Sequence, residues 1–209
     1  MQKHFFAKVI LQFCVWRRVW DTLLSVLEKT SKDMVEQDGA SFETLVSERV
    51  LLIPEKGLGN STAIRFGIRI TNISQQPLRF CSYRSFQPRL IDDNGRHLRS
   101  GGGANASRLI RESDCPLTQP NESLEFFLDG KVYWKDNEIY MDGSESCGGI
   151  WYFQDSIKPG KYEFCFRYST DHEEGRVFDA DAREMNILNS FWVGRVESPL
   201  VEICFALKA

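Results

Sequence analysis

Ser146-Cys147-Gly148-Gly149 places a thiol ahead of two glycines, the residue types that a nucleophile turn uses. A thiolate attacks a carbonyl when a base within hydrogen-bond reach takes its proton, and the backbone amides that follow can hold the oxyanion. The general base would have to come from upstream, where His4 and His97 are the only histidines before Cys147. The spacing fits a polar loop over residues 142–149 better than a catalytic dyad. Cys147 is therefore kept as the nucleophile of an alternative, hydrolase-like reading.

Arginine supplies a second kind of chemistry. Residues 79–111 hold Arg79, Arg84, Arg89, Arg96, Arg99, Arg108 and Arg111, no lysine, and only Asp92 and Asp93 with Glu112 just beyond. A guanidinium is a planar fork matched to carboxylate or phosphate, and it stacks on aromatic rings. Tyr83 and Phe86 are interleaved, and Gly101-Gly102-Gly103 reads as a mobile loop beside them. Arg84, Arg89, Arg96, Arg99 and Arg108 are the expected contacts to a protein partner. Nucleic acid fits less well, because the sequence pI is about 5.7.

Other polar clusters read as turns. Asp171, Glu173, Glu174, Asp179 and Asp181 lack the ordered spacing of a calcium loop with its glycine and closing glutamate. Asn60, Asn72, Asn105 and Asn121 each open an N-x-[ST] triplet, and their short side chains suit the capping of backbone amides in turns. No metal or cofactor is expected.

These groups must be carried by strands. In residues 62–71, Ile64, Phe66, Ile68 and Ile70 alternate with Arg65, Gly67, Arg69 and Thr71, the period of a half-buried strand. Tyr162, Phe164, Phe166 and Tyr168 alternate in the same way, as do Val201, Ile203, Phe205 and Leu207. Further strands are expected over 42–53, 78–83, 89–91, 123–128 and 149–153. Asp93-Asn94-Gly95 and Lys158-Pro159-Gly160 mark turns between them. Residues 179–189 read as a short helix or helical turn.

The N-terminal part has a different period. Phe6, Phe13, Trp20 and Leu27 recur every seven residues, with Val9, Ile10, Trp16, Leu23 and Leu24 between, so 5–28 is expected to be an amphipathic helix. Its face, with Phe13, Trp16 and Trp20, is expected to pack on the sandwich, bind a partner, dimerise, or lie on an anionic membrane. Residues 1–40 thus form a helix and linker, and 41–209 an all-β domain: several short strands without alternating helices argue for an antiparallel sandwich.

Pro159-Gly160-Lys161-Tyr162, followed by Trp192-Val193-Gly194-Arg195-Val196 with Ser198, resembles a bacterial immunoglobulin-like pattern in which a PGxY strand precedes a WxGxxxS segment and a final strand. The resemblance covers roughly the last 50 residues and implies an immunoglobulin-like sandwich; it is silent on activity. Antibody-type domains bridge their sheets through two cysteines, and Cys81 and Cys165 stand where such a pair would be sought. Alternation turns both outward, so an inter-sheet disulfide is not expected. Around Cys147 the chain also resembles the nucleophile turn of picornavirus-type cysteine proteases, with Glu145 where that family has glycine. A protease-inhibitor-like sandwich rests on fold analogy alone.

Composition bounds the remaining possibilities. The 209 residues carry a net charge of −3, but residues 1–111 balance to +7 and residues 112–209 to −10. Such a division reads either as differing surface charge or as a basic face that steers an acidic partner. No apolar run reaches membrane-span length, no secretory signal is evident, and six cysteines without C-x-x-C spacing fit reduced thiols, hence a cytoplasmic protein. The expected function is a non-enzymatic binding or accessory module that engages a protein partner.

Overall fold

Alternation of large apolar and polar residues continues through most of the chain and produces strands. The computed structural model describes residues 33–103, 109–145 and 148–208. The expected helix over 5–28, with Phe13, Trp16 and Trp20, lies outside the described residues, as do Arg108 and Cys147.

Among the described residues the chain runs through β1 (Val35–Gln37), β2 (Ala40–Val46), β3 (Val50–Ile53), β4 (Ser61–Asn72), β5 (Leu78–Arg79) and β6 (Phe86–Asp92). It continues through β7 (Ser100–Gly103), a 3-10 turn at Glu112–Asp114, β8 (Leu117–Thr118), β9 (Ser123–Lys135), β10 (Glu138–Ser144) and β11 (Ile150–Phe153). The last strands are β12 (Gly160–Thr170), β13 (Gly175–Asp179), β14 (Glu184–Leu188), β15 (Gly194–Glu197) and β16 (Val201–Leu207). No α-helix occurs among the described residues, and none of their segments is a helix long and apolar enough to cross a membrane.

Two sheets face each other. The larger has the order β1-β2-β4-β9-β10-β11-β7. In the smaller, β6 lines one edge of β12, while β15 and β16 share the other and β3 follows β16. Pairing is antiparallel throughout both sheets except for β3, which runs parallel to β16. The segment expected as one strand over 42–53 is two: β2 joins the larger sheet and β3 crosses to the smaller. Aromatic rings fill the space between. Phe66 stacks on Phe164 with centroids 4.0 Å apart, and Phe42 meets Trp192 at 5.1 Å and Tyr168 at 5.7 Å. Apart from Trp192, which lies between β14 and β15, these rings come from the inward positions of the alternating runs, and each is fully or almost fully buried.

The recurrent motif residues do structural work. Tyr162 packs edge-on against Phe205 and accepts the Lys158 N–H at 3.0 Å, closing the turn that leads into β12. A side chain at position 194 would strike the Trp192 ring, so Gly194 makes room for that indole. The Ser198 hydroxyl accepts the Phe166 N–H at 2.9 Å and contacts Thr44 Oγ1 at 2.6 Å, which ties β12 to β2 across the sandwich.

Four expectations need correction. Residues 179–189 do not turn helically: β13 and β14 form a hairpin around Asp179–Glu184, and Asp179 Oδ1 accepts the N–H groups of Asp181 and Ala182. Gly101-Gly102-Gly103 is no loop but most of β7, paired with β11, where the absence of side chains leaves room for the Tyr152 ring over Gly101. Residues 35–37, expected in a linker, form an edge strand joined to β2 through Asp38 and Gly39, both at positive φ as a tight hairpin requires. Cys81 and Cys165 are buried, not exposed on outer faces. Cys165 does point away from the aromatic set, but Arg89, Arg167, Glu163 and Glu197 surround it, and burial pushes its thiol up to about 11.

Candidate partner-binding surface

Four of the five proposed arginines are described, and the fold spreads them along β6. That strand is about 23 Å long at 3.3 Å per residue. Pro88, which cannot donate to a ladder, fits its position on the edge of the smaller sheet. Arg84 precedes the strand, Arg89 lies within it, and Arg96 and Arg99 follow the Asp92–Gly95 turn. The turn is closed by Gly95 N–H donating to Asp92 O at 2.9 Å.

Arg96 and Arg99 are committed to the protein's own acids. Arg96 Nε donates to Asp92 Oδ2 at 3.1 Å. Asp155 takes the Arg99 backbone N–H at 2.7 Å on Oδ2 and Nη2 at 3.0 Å on Oδ1. Both carboxyls are held below their ordinary value of 3.8. The chief cause at Asp155 is the Arg99 side chain, and at Asp92 it is the Arg96 backbone N–H. Arg79 is likewise occupied, by Cys115 O at 3.0 Å and Glu112 Oε1 at 2.9 Å.

A depressed carboxyl contributes stability that is complete above its unfolded pKa and lost as pH falls through its folded one. Asp155→Asn is therefore expected to shrink the fall in Tm between about pH 5 and about pH 3. Thermal melts at both pH values check this, and an unchanged acid limb would show that the Arg99 pair contributes nothing there.

Arg84 and Arg89 differ. Neither makes an ion pair with a carboxylate among the described residues. Arg89 lies on the outer face of the smaller sheet, opposite Cys165, and its Nη2 sits 3.2 Å from His97 Nδ1. A guanidinium can only donate, so in this contact Nδ1 is the acceptor. Arg84 is exposed, with φ at 56° and its guanidinium carbon 5.4 Å from the Tyr83 ring centroid. Left-handed backbone is uncommon for a side chain of this size. It aims Arg84 beside a groove of about 320 Å3 that Gln87, Gly102, Gly103 and Glu145 also line.

Sequence reasoning missed two surfaces. A larger groove, about 800 Å3, runs past Asp38, Glu173, Glu174, Phe191 and Trp192. On the outer face of the larger sheet, Tyr133 and Tyr140 stand opposite each other, and the Tyr133 hydroxyl donates to Asp142 Oδ2 at 2.7 Å. Burial and that bond push Tyr133 up to about 12. The alternation of Tyr133 and Tyr140 with Val132 and Met141 was the available signal. In the acidic loop, Asp179 serves its own turn, its Oδ1 accepting the N–H groups of Asp181 and Ala182.

No protein-family model matches the chain, and a comparison with curated proteins finds no significant relative.

Proposed function

We propose that this chain is a non-enzymatic, immunoglobulin-like binding module of the cytoplasm that engages an acidic surface of a protein partner through Arg84 and Arg89. The observation that carries this reading is the contrast within the arginine set. Arg79, Arg96 and Arg99 are each satisfied by a carboxylate of the same chain, whereas Arg84 is exposed, lacks such a pair among the described residues, and is held in left-handed backbone beside a groove. Strained backbone at an exposed charged residue supports a binding role, because strain persists where function requires the geometry.

The immunoglobulin-like reading draws support from strand order. The order β6-β12-β16 is the order that C, F and G have in such a sandwich, and β2-β4-β9 the order of A, B and E. β10 and β11 are additions to that plan. Free thiols at Cys81, Cys115, Cys165 and Cys204 fit a reducing compartment.

The test compares two double variants of the full chain in cross-linked capture from the source cells. Arg84→Ala with Arg89→Ala is expected to lower recovery of the partner about tenfold, as loss of central arginine contacts does. Arg96→Ala with Arg99→Ala should leave it nearly unchanged, and added salt should weaken capture by the wild type. Equal capture by the wild type and the first variant would overturn the reading.

A further inference from the structure

We propose that Cys81 and Cys115 form a redox pair that closes reversibly into a cross-strand disulfide. β5 and β8 pair in antiparallel register, Leu78 opposite Thr118 and Arg79 opposite Leu117. The register continues past the strand ends: the Phe80 N–H donates to Pro116 O at 3.3 Å, and the Ser82 N–H donates to Asp114 O at 2.8 Å. Cys81 therefore stands directly opposite Cys115. Its neighbours on either side make the ladder bonds, so the two cysteines occupy a non-hydrogen-bonded position. At such a position Cα atoms lie about 4.5 Å apart, inside the roughly 4.4–6.8 Å that a disulfide spans.

The surroundings favour closure with little backbone movement. Both thiols are free and pack with Phe191 in a cluster separate from the main core. Tyr168 holds Cys81 from the other side, its hydroxyl accepting the Cys81 N–H at 2.9 Å and donating to Cys81 O at 3.1 Å. Only side-chain rotation is left to make. Cys81 is 6% exposed and Cys115 1%, so reagent reaches Cys81 first, through local opening of two strands that are each two residues long. The thiol contact between them also holds Cys81 below its ordinary value and, with burial, pushes Cys115 up.

A low-molecular-weight disulfide such as oxidised glutathione is the oxidant. The Cys81 thiolate attacks one glutathione sulfur, breaking that S–S bond and releasing glutathione thiolate. The Cys115 thiol then gives up its proton and attacks the Cys81 sulfur, expelling the second glutathione. Two protein thiols are oxidised to one disulfide, one glutathione disulfide is reduced to two thiols, and the two protons end on them. The loop so closed holds about 35 residues and carries Arg84, Arg89, Arg96 and Arg99, which the bond would restrain in the unfolded chain.

The experiment incubates the full chain with oxidised glutathione, alkylates it, digests it without reduction and maps linked peptides by mass spectrometry. The expected product is a Cys81–Cys115 peptide that dithiothreitol separates, together with a Tm about 10 °C above that of the reduced protein. Cys115→Ala, treated identically, should retain glutathione on Cys81 and show no rise in Tm. A glutathione adduct on wild-type Cys81 that never resolves would overturn the proposal. So would linkage of either cysteine only to Cys14, Cys147, Cys165 or Cys204, or a wild type left wholly unoxidised. Mass mapping of the wild type decides the matter even if the variant folds poorly.

Discussion

Replacing Asn72 with alanine is expected to destabilise the domain by about 4 kcal/mol, from two or three buried groups at roughly 1–3 kcal/mol each. Asn72 is fully buried at the end of β4, and its side chain joins two separate pieces of chain, the turn at 74–76 and Thr118. Nδ2 donates to Gln76 O at 2.8 Å and to Thr118 O at 2.9 Å, while Oδ1 accepts the Ser74 N–H at 3.0 Å and the Ser74 hydroxyl at 2.7 Å. Its backbone closes the same knot, donating to Glu122 O and accepting from the Asn121 N–H. Alanine removes all four side-chain bonds and offers nothing to the groups left behind. Ser74→Ala, which removes only the hydroxyl contacts, should cost about 1 kcal/mol. Urea titrations of both variants check the ratio. A loss below about 1 kcal/mol for Asn72→Ala would mean that the orphaned groups find water.

Asn72 shows how legibility differs between fold and role. Its triplet with Ile73 and Ser74 reads as a capped turn, and the Ser74 N–H bond bears that out. The bonds to Gln76 and Thr118 depend on where the chain returns, and no local pattern contains that information. β4, β12 and β16 were readable because one face of each is buried, so composition alternates with the pleat. β14 was not: Met185 and Ile187 are both exposed, the strand buries neither face well, and no alternation develops. Direction is likewise legible where cover is not. The period of two turned Cys165 away from the aromatic core correctly, but of the neighbours around it Arg89 comes from β6 and Glu197 from β15.

Charge obeys the same limit. The basic first half and acidic second half suggested a basic face, yet folding joins them in pairs: Arg65 with Asp129, Arg69 with Glu125, Arg79 with Glu112, and Arg99 with Asp155. Most of these pairs are exposed and worth little individually. Among the candidates such pairing removes Arg99, as the bond to Asp92 removes Arg96. Of the described candidates Arg84 and Arg89 remain, and Arg84 could not have been singled out from composition, since its positive φ leaves no mark in the sequence.

Gly143→Ala is expected to be similarly costly, about 3 kcal/mol or a Tm lower by about 10 °C, for a reason that residue type alone conceals. The sequence puts Gly143 in a polar loop over 142–149 and Gly130 just past the strand expected over 123–128. Both instead lie within strands, β9 and β10, with Gly130 and Gly143 directly opposite each other. The Trp151 ring lies across them on the core side. A Cβ at position 143 would stand 2.1 Å from Asp129 O and 2.6 Å from two ring atoms of Trp151, and one at position 130 would stand 2.5 Å from the same ring. Backbone on one side and a buried indole on the other leave no flexible group to yield. Gly95→Ala separates this crowding from simple backbone strain, because Gly95 has φ at 77° with nothing within 4 Å of the added methyl, and should cost only about 1 kcal/mol. Melting both variants beside the wild type decides between the two accounts. If Gly143→Ala melts no lower than Gly95→Ala, the sheet can part at β9 and β10 without loss, and the glycine pair is not what seats Trp151.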